Sequence, residues 1–92
     1  MVERTAENCE AVKRFLVDGL GGEIRAMDAG DLSGVYFHSD QRRFGRLHVG
    51  ERLLADAEPE DLIRRLTEHR VLDHLRSGQS VQVLTTGTAF DQ

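Results

Sequence analysis

Val35-Tyr36-Phe37-His38-Ser39 and Phe44-Gly45-Arg46-Leu47-His48-Val49, separated by the polar interval Asp40-Gln41-Arg42-Arg43, decide how this chain is read. Side chains alternate across a strand, so Val35 and Phe37 share one face, as do Gly45, Leu47 and Val49 on the partner. If both sets face one core, every cross-strand pair has an even sum of residue numbers, because a slip of one residue turns a strand inside out. A sum of 84 pairs Phe37 with Leu47 and leaves a loop of Gln41, Arg42 and Arg43. The opposite face then gathers Tyr36, His38, Phe44, Arg46 and His48, with Tyr36 across from His48 and His38 across from Arg46.

Outward from this hairpin, short segments with a period of two are separated by turn chemistry. Upstream, residues 23–28 read as a strand with Ile24 and Ala26 on one side, ended by Ala29-Gly30-Asp31. Downstream, Gly50-Glu51 reads as a tight turn into a further strand over 52–57. Residues 5–20 instead carry a helical stripe, Val12, Phe15, Leu16 and Leu20, with Thr5 as a candidate N-cap and Gly21-Gly22 as a left-handed stop. Glu58-Pro59-Glu60-Asp61 opens a second helix: Pro suits the first position, where its missing N–H costs nothing, and the carboxylates meet the positive end of the macrodipole. Leu62, Ile63, Leu66 and Val71 form its apolar face, and 71–77 is a further helical turn or an irregular segment closed by Gly78. Val81 and Val83 alternate with Gln82 in a last strand over 80–85, and 86–92 reads as a loose tail unless Phe90 docks it.

The order α-β-β-β-(β)-α-β predicts an α+β fold: an antiparallel sheet of four to five strands with two helices on one face. Ninety-two residues form one domain over 1–92. Apolar residues make up 39% of the chain and there are nine glycines, the composition of an ordinary globular domain instead of a disordered one. No stretch reaches the roughly 18 apolar residues of a membrane span, and Glu3, Arg4 and Glu7 leave no apolar core for a secretion signal. With Cys9 as the one cysteine, no intrachain disulfide forms, and the expectation is a soluble protein of the cytoplasm.

Sixteen acidic and twelve basic residues give a net charge of -4, which argues against nucleic-acid binding through bulk electrostatics. Eleven of the twelve basic residues are arginine, as the coding bias of a GC-rich bacterial genome would produce. Gly19, Gly21 and Gly22 follow a helix instead of opening one, so they stop it and do not cradle phosphate. Metal chelation lacks its spacings: Glu68-His69 and Asp73-His74 are adjacent pairs, and adjacent helical residues point about 100° apart. Cys9 reads as a small buried hydrophobe, and Ser33, Ser39, Ser77 and Ser80 lack a nucleophile elbow. No cofactor, metal or catalytic residue is therefore assigned.

The residues Arg43-Phe44-Gly45-Arg46-Leu47-His48, then Leu53-Leu54-Ala55-Asp56, Pro59 and the helix over 62–66, make the chain similar to the small bacterial luciferase-like domain family. Its members show a Gly-x-Leu-His strand before a short strand and a proline-started helix. The similarity spans 20–85, and Gly78-Gln79-Ser80-Val81 stands where that pattern has a Gly-Trp-Val-like strand start. The same order of elements resembles the double-wing domains of the MmcQ/YjbR type, which implies DNA binding. Both resemblances imply an α+β meander, and neither transfers a catalytic residue.

The leading functional expectation is a non-catalytic binding module that uses Tyr36, His38, Arg46 and His48 for a partner protein or a small anionic ligand. Arg46 would supply the bidentate donor, the histidines hydrogen bonds, and Tyr36 a stacking surface. The alternatives are a nucleic-acid-binding module using Arg42, Arg43, Arg46 and Arg52, and a small enzyme relying on His38 and His48. Gln79-Ser80-Val81-Gln82-Val83-Leu84-Thr85-Thr86 carries no charge and no Pro, which predicts a homodimer through this strand, as an unguarded edge, or through the hairpin face, the alternative being a monomer in which 86–92 folds back to cover the edge.

Overall fold

The computed structural model describes residues 4–28, 34–40, 43–85 and 87–91. The expected turn at 29–31 and the tip of the hairpin at 41–42 lie outside the described residues. Helix α1 (Arg4–Leu20) is followed by β1 (Ile24–Asp28), β2 (Gly34–Ser39) and β3 (Leu47–Gly50), then by helices α2 (Glu51–Asp56), α3 (Pro59–Glu68) and α4 (Val71–Arg76), then by β4 (Ser80–Leu84) and β5 (Gly87–Asp91). The α+β class holds, and the five strands lie side by side in chain order.

The register of the hairpin follows the even-sum rule. Val35 faces Val49, Tyr36 faces His48 and Phe37 faces Leu47, each pair summing to 84, and the ladder extends to Gly34 and Gly50. One face of the sheet meets the helices. Ile24, Phe37, Leu47, Val49, Val81 and Val83 form a single core with Val12 and Leu16 of α1, Leu53 and Leu54 of α2, Leu62 and Leu66 of α3, and Val71 and Leu75 of α4. The other face carries no helix-facing core residue, and it is this open face that bears the candidate site.

Four expectations are corrected. Residues 52–57 do not form a strand: Leu53 and Leu54 are both buried, which adjacent residues achieve on one side of a helix and never on one face of a strand. Gly50, in extended geometry, caps α2, so the Gly50-Glu51 turn is instead a direct strand-to-helix transition. Second, the sheet is mixed. The chain between β3 and β4 passes through three helices, and such a crossover returns the strand parallel, with Leu47 beside Val81, His48 beside Gln82 and Val49 beside Val83. There are accordingly four helices among the described residues where two were expected.

Third, 44–46 are not part of β3. The Gly45 N–H donates to Leu75 O at 2.9 Å, at the C-terminal end of α4, which pulls the backbone off the β2 ladder before it can pair His38 with Arg46. Fourth, the expected loose tail is a strand over its described residues, 87–91: β5 pairs antiparallel with β4 from Gly87 opposite Leu84 to Asp91 opposite Ser80. The uncharged strand therefore lies inside the sheet, and the expected dimer contact through an 80–85 edge has no edge to use.

The helix boundaries follow from local chemistry. Thr5 lies within α1 and does not cap it. Gly21 and Gly22 end that helix with φ of 78° and 76°, a region that costs L side chains energy. Pro59 occupies the first turn of α3, and Arg4 reaches Glu58 at its cap with a 2.6 Å ion pair. Asn8, fully buried, donates from Nδ2 to Leu54 O at 2.7 Å and Ala57 O at 2.8 Å, which fastens α1 to the C-terminal end of α2. Those carbonyls have no partner within a helix so short, and the side chain supplies one.

Candidate functional site

The registers place the open-face side chains in rows across the strands. One row runs Arg25 and His38, with Arg46 and Ser80 beyond them and Asp91 at the register position opposite Ser80. The next runs Met27, Tyr36, His48, Gln82 and Ala89. A third holds Gly34 and Gly50, then Leu84 and Gly87. Gly34 and Gly50 explain how side chains lie down on an uncovered face. A Cβ at Gly34 would stand 2.6 Å from His48 Nε2, and one at Gly50 would stand 2.8 Å from Leu84 Cδ2.

His48 is consequently only 4% exposed although no helix covers it. Its ring centroid lies 4.7 Å from that of Tyr36, with the planes tilted by 38°. The Gln82 amide nitrogen donates to His48 Nδ1 at 3.2 Å, which leaves the proton of the neutral ring on Nε2. Nε2 is buried with no hydrogen-bond partner among the described residues. Burial holds the imidazole below the ordinary histidine pKa, so His48 is neutral at neutral pH.

Beside it the face sinks into a concavity of about 330 Å³ lined by Tyr36, Arg46, His48, Ser80, Val81, Gln82 and Ala89. The Arg46 guanidinium lies 5.6 Å from the centre of the Tyr36 ring, and no carboxylate pairs with it among the described residues. Ser80 Oγ accepts a long 3.5 Å bond from the Arg46 N–H. Arginine, serine, glutamine and tyrosine all present N–H or O–H donors to this space.

Of the four residues singled out in the sequence, Tyr36, Arg46 and His48 share the concavity. His38 stands outside it, on the same face but turned to the β1 edge, with Nε2 3.3 Å from Met27 Sδ. Ser80, Gln82 and Ala89 were not anticipated. The alternation around Val81 and Val83 signals that Ser80 and Gln82 share a face, but only the parallel crossover puts that face beside His48. Of the arginines in the nucleic-acid reading, Arg42 lies outside the described residues, Arg43 stacks on the Phe44 ring at 4.9 Å, and Arg52 is exposed on α2 in the helical layer. The two histidines of the enzyme reading are likewise turned to different partners, His38 to Met27 and His48 to Gln82.

Among the described residues no group of three or more His, Cys, Asp or Glu could hold a metal ion, and no helix is long and apolar enough to cross a membrane. No protein-family model matches the chain, and no curated protein and no solved structure matches it. The luciferase-like resemblance thus rests on the residues quoted for it, and the double-wing resemblance on the expected order of elements.

Proposed function

We propose that this domain is a non-catalytic binding module that holds a small anionic ligand on the open face of its sheet, with Arg46 as the anchor. The charge distribution carries the reading. The chain as a whole is acidic, at -4, yet the strand positions on this face include four basic residues, Arg25, His38, Arg46 and His48, against one acidic residue, Asp91 opposite Ser80. Arg46 brings an unpaired guanidinium to the rim of a concavity whose other polar groups donate hydrogen bonds, and a guanidinium fork matches carboxylate geometry. His48, neutral and buried, serves as wall instead of charge.

The test is a titration of the isotope-labelled protein with sodium acetate and sodium phosphate at constant ionic strength. Saturable shifts of the Tyr36, Arg46 and Gln82 amides, lost in Arg46→Gln, are expected. Shifts that fail to saturate, or that survive Arg46→Gln, would overturn the assignment.

A further inference from the structure

Resting on the reading of this face as an anion site, we infer that its ligand is an aromatic carboxylate: a flat ring held against Tyr36 and His48, with its carboxylate on Arg46. Three observations carry this. The first is the charge at the site. One guanidinium lines it and no helix N-terminus does, and β3 and β4 are each paired on both sides, so a phosphate dianion would find a single positive partner and no nest of backbone donors on those two strands. A carboxylate matches one fork and carries one charge.

The second is the wall. Tyr36 and His48 stand 4.7 Å apart and tilted, and both border the concavity beside the methyl of Ala89. A ring placed there meets aromatic surface in the offset and edge-to-face arrangements that such rings favour. A non-aromatic anion of the size of acetate leaves that wall wet.

The third is size. About 330 Å³ lies at the small end of the range for ligand pockets, roughly 300 to 1,000 Å³, and admits a single ring with a short acidic arm. The arrangement of the arm is fixed because Arg46 stands one row away from the His48 and Gln82 pair. The carboxylate therefore falls at the Arg46 and Ser80 end and the ring over the row of Tyr36, His48, Gln82 and Ala89.

Calorimetric or NMR titration of the intact domain with phenylacetate, phenylacetamide, acetate and inorganic phosphate tests the inference. Phenylacetate is expected to bind at least tenfold tighter than acetate or phosphate, and phenylacetamide, which keeps the ring and loses the charge, at least tenfold more weakly than phenylacetate. Arg46→Gln should remove the difference between acid and amide, and Tyr36→Leu, which keeps apolar volume on the strand, should shrink the difference between phenylacetate and acetate. N-acetyl-phenylalanine carries the same two groups at a peptide end. If it binds tighter than phenylacetate the source is a C-terminal aromatic residue, and if weaker a free acid; either supports the inference. Equal affinity for phenylacetate and acetate, with both lost in Arg46→Gln, would overturn the aromatic assignment and leave the anion site standing. No saturable binding of any of the four probes would overturn both.

Discussion

The imidazole of His48 occupies the place that a side chain at Gly34 would fill. A Cβ there would stand 2.6 Å from His48 Nε2 and 2.5 Å from Val49 O. The ring can swing away, but the carbonyl belongs to the core-facing strand and cannot. Gly34→Ala should therefore cost about 1–3 kcal/mol by overpacking and turn His48 toward solvent. A lowered urea midpoint together with a His48 pKa that rises toward the ordinary value, followed by NMR, checks both halves of the expectation.

The same burial sets a pH dependence. His48 has a folded-state pKa below that of the unfolded chain, so as the pH falls the unfolded state takes up the proton first. The contribution is complete above about pH 6.5, the unfolded value, and is lost as the pH descends from there through the folded value. His48→Gln removes the titrating group. Its unfolding free energy, measured in urea over that interval, should change less with pH than that of the parent, and parallel profiles would contradict the assignment.

Asn8 is a polar residue at a core position, and its two bonds explain it. Asn8→Ala leaves Leu54 O and Ala57 O buried without their donor, at a cost of about 2–3 kcal/mol. Asn8→Asp should cost more, because a carboxylate would face two carbonyl oxygens in a fully buried position. Chemical denaturation that ranks the parent above Asn8→Ala, and Asn8→Ala above Asn8→Asp, is the expected result.

Gly45 marks the closest backbone approach beside the site. A Cβ would fall 1.8 Å from Gln79 O and 2.4 Å from Gln79 C, both main-chain atoms. The segment before β3 would have to separate from that before β4, and the 2.9 Å bond from Gly45 N–H to Leu75 O would go with it. Gly45→Ala is expected to cost at least about 3 kcal/mol. A thermal midpoint within a degree or two of the parent, roughly the range of a harmless surface change, would contradict this.

The hairpin register was legible because both strands have one apolar face, and Val35, Phe37, Leu47 and Val49 leave a single parity that turns all four to the core. The α3 start was legible because Pro59 and its acidic neighbours each have a positional reason. Leu53-Leu54 failed because six residues are too few to separate a period of 3.6 from one of 2, and Gly50-Glu51 resembles a turn. Gly87-Thr88-Ala89 carries so little β-branched or apolar character that its strand is set by the β4 edge it covers and not by its own propensity. For the site, Tyr36 and His48 could be placed from parity alone, whereas Gln82 and Ala89 reach it through tertiary pairing that no local pattern encodes. Asn8 stands four residues before Val12, in line with the buried stripe of α1, and the carbonyls that satisfy it belong to the unforeseen α2 and its C-cap.

Three of the four ladders join strands that follow each other through short connections, and only that between β3 and β4 spans a long one, residues 51–79. The concavity straddles this seam, with Tyr36, Arg46 and His48 on one side and Ser80, Gln82 and Ala89 on the other. Neither half contains the site by itself. A ligand held there, as proposed, would act as a clasp between two locally formed halves, and its affinity would be readable as a displacement of the entire unfolding transition.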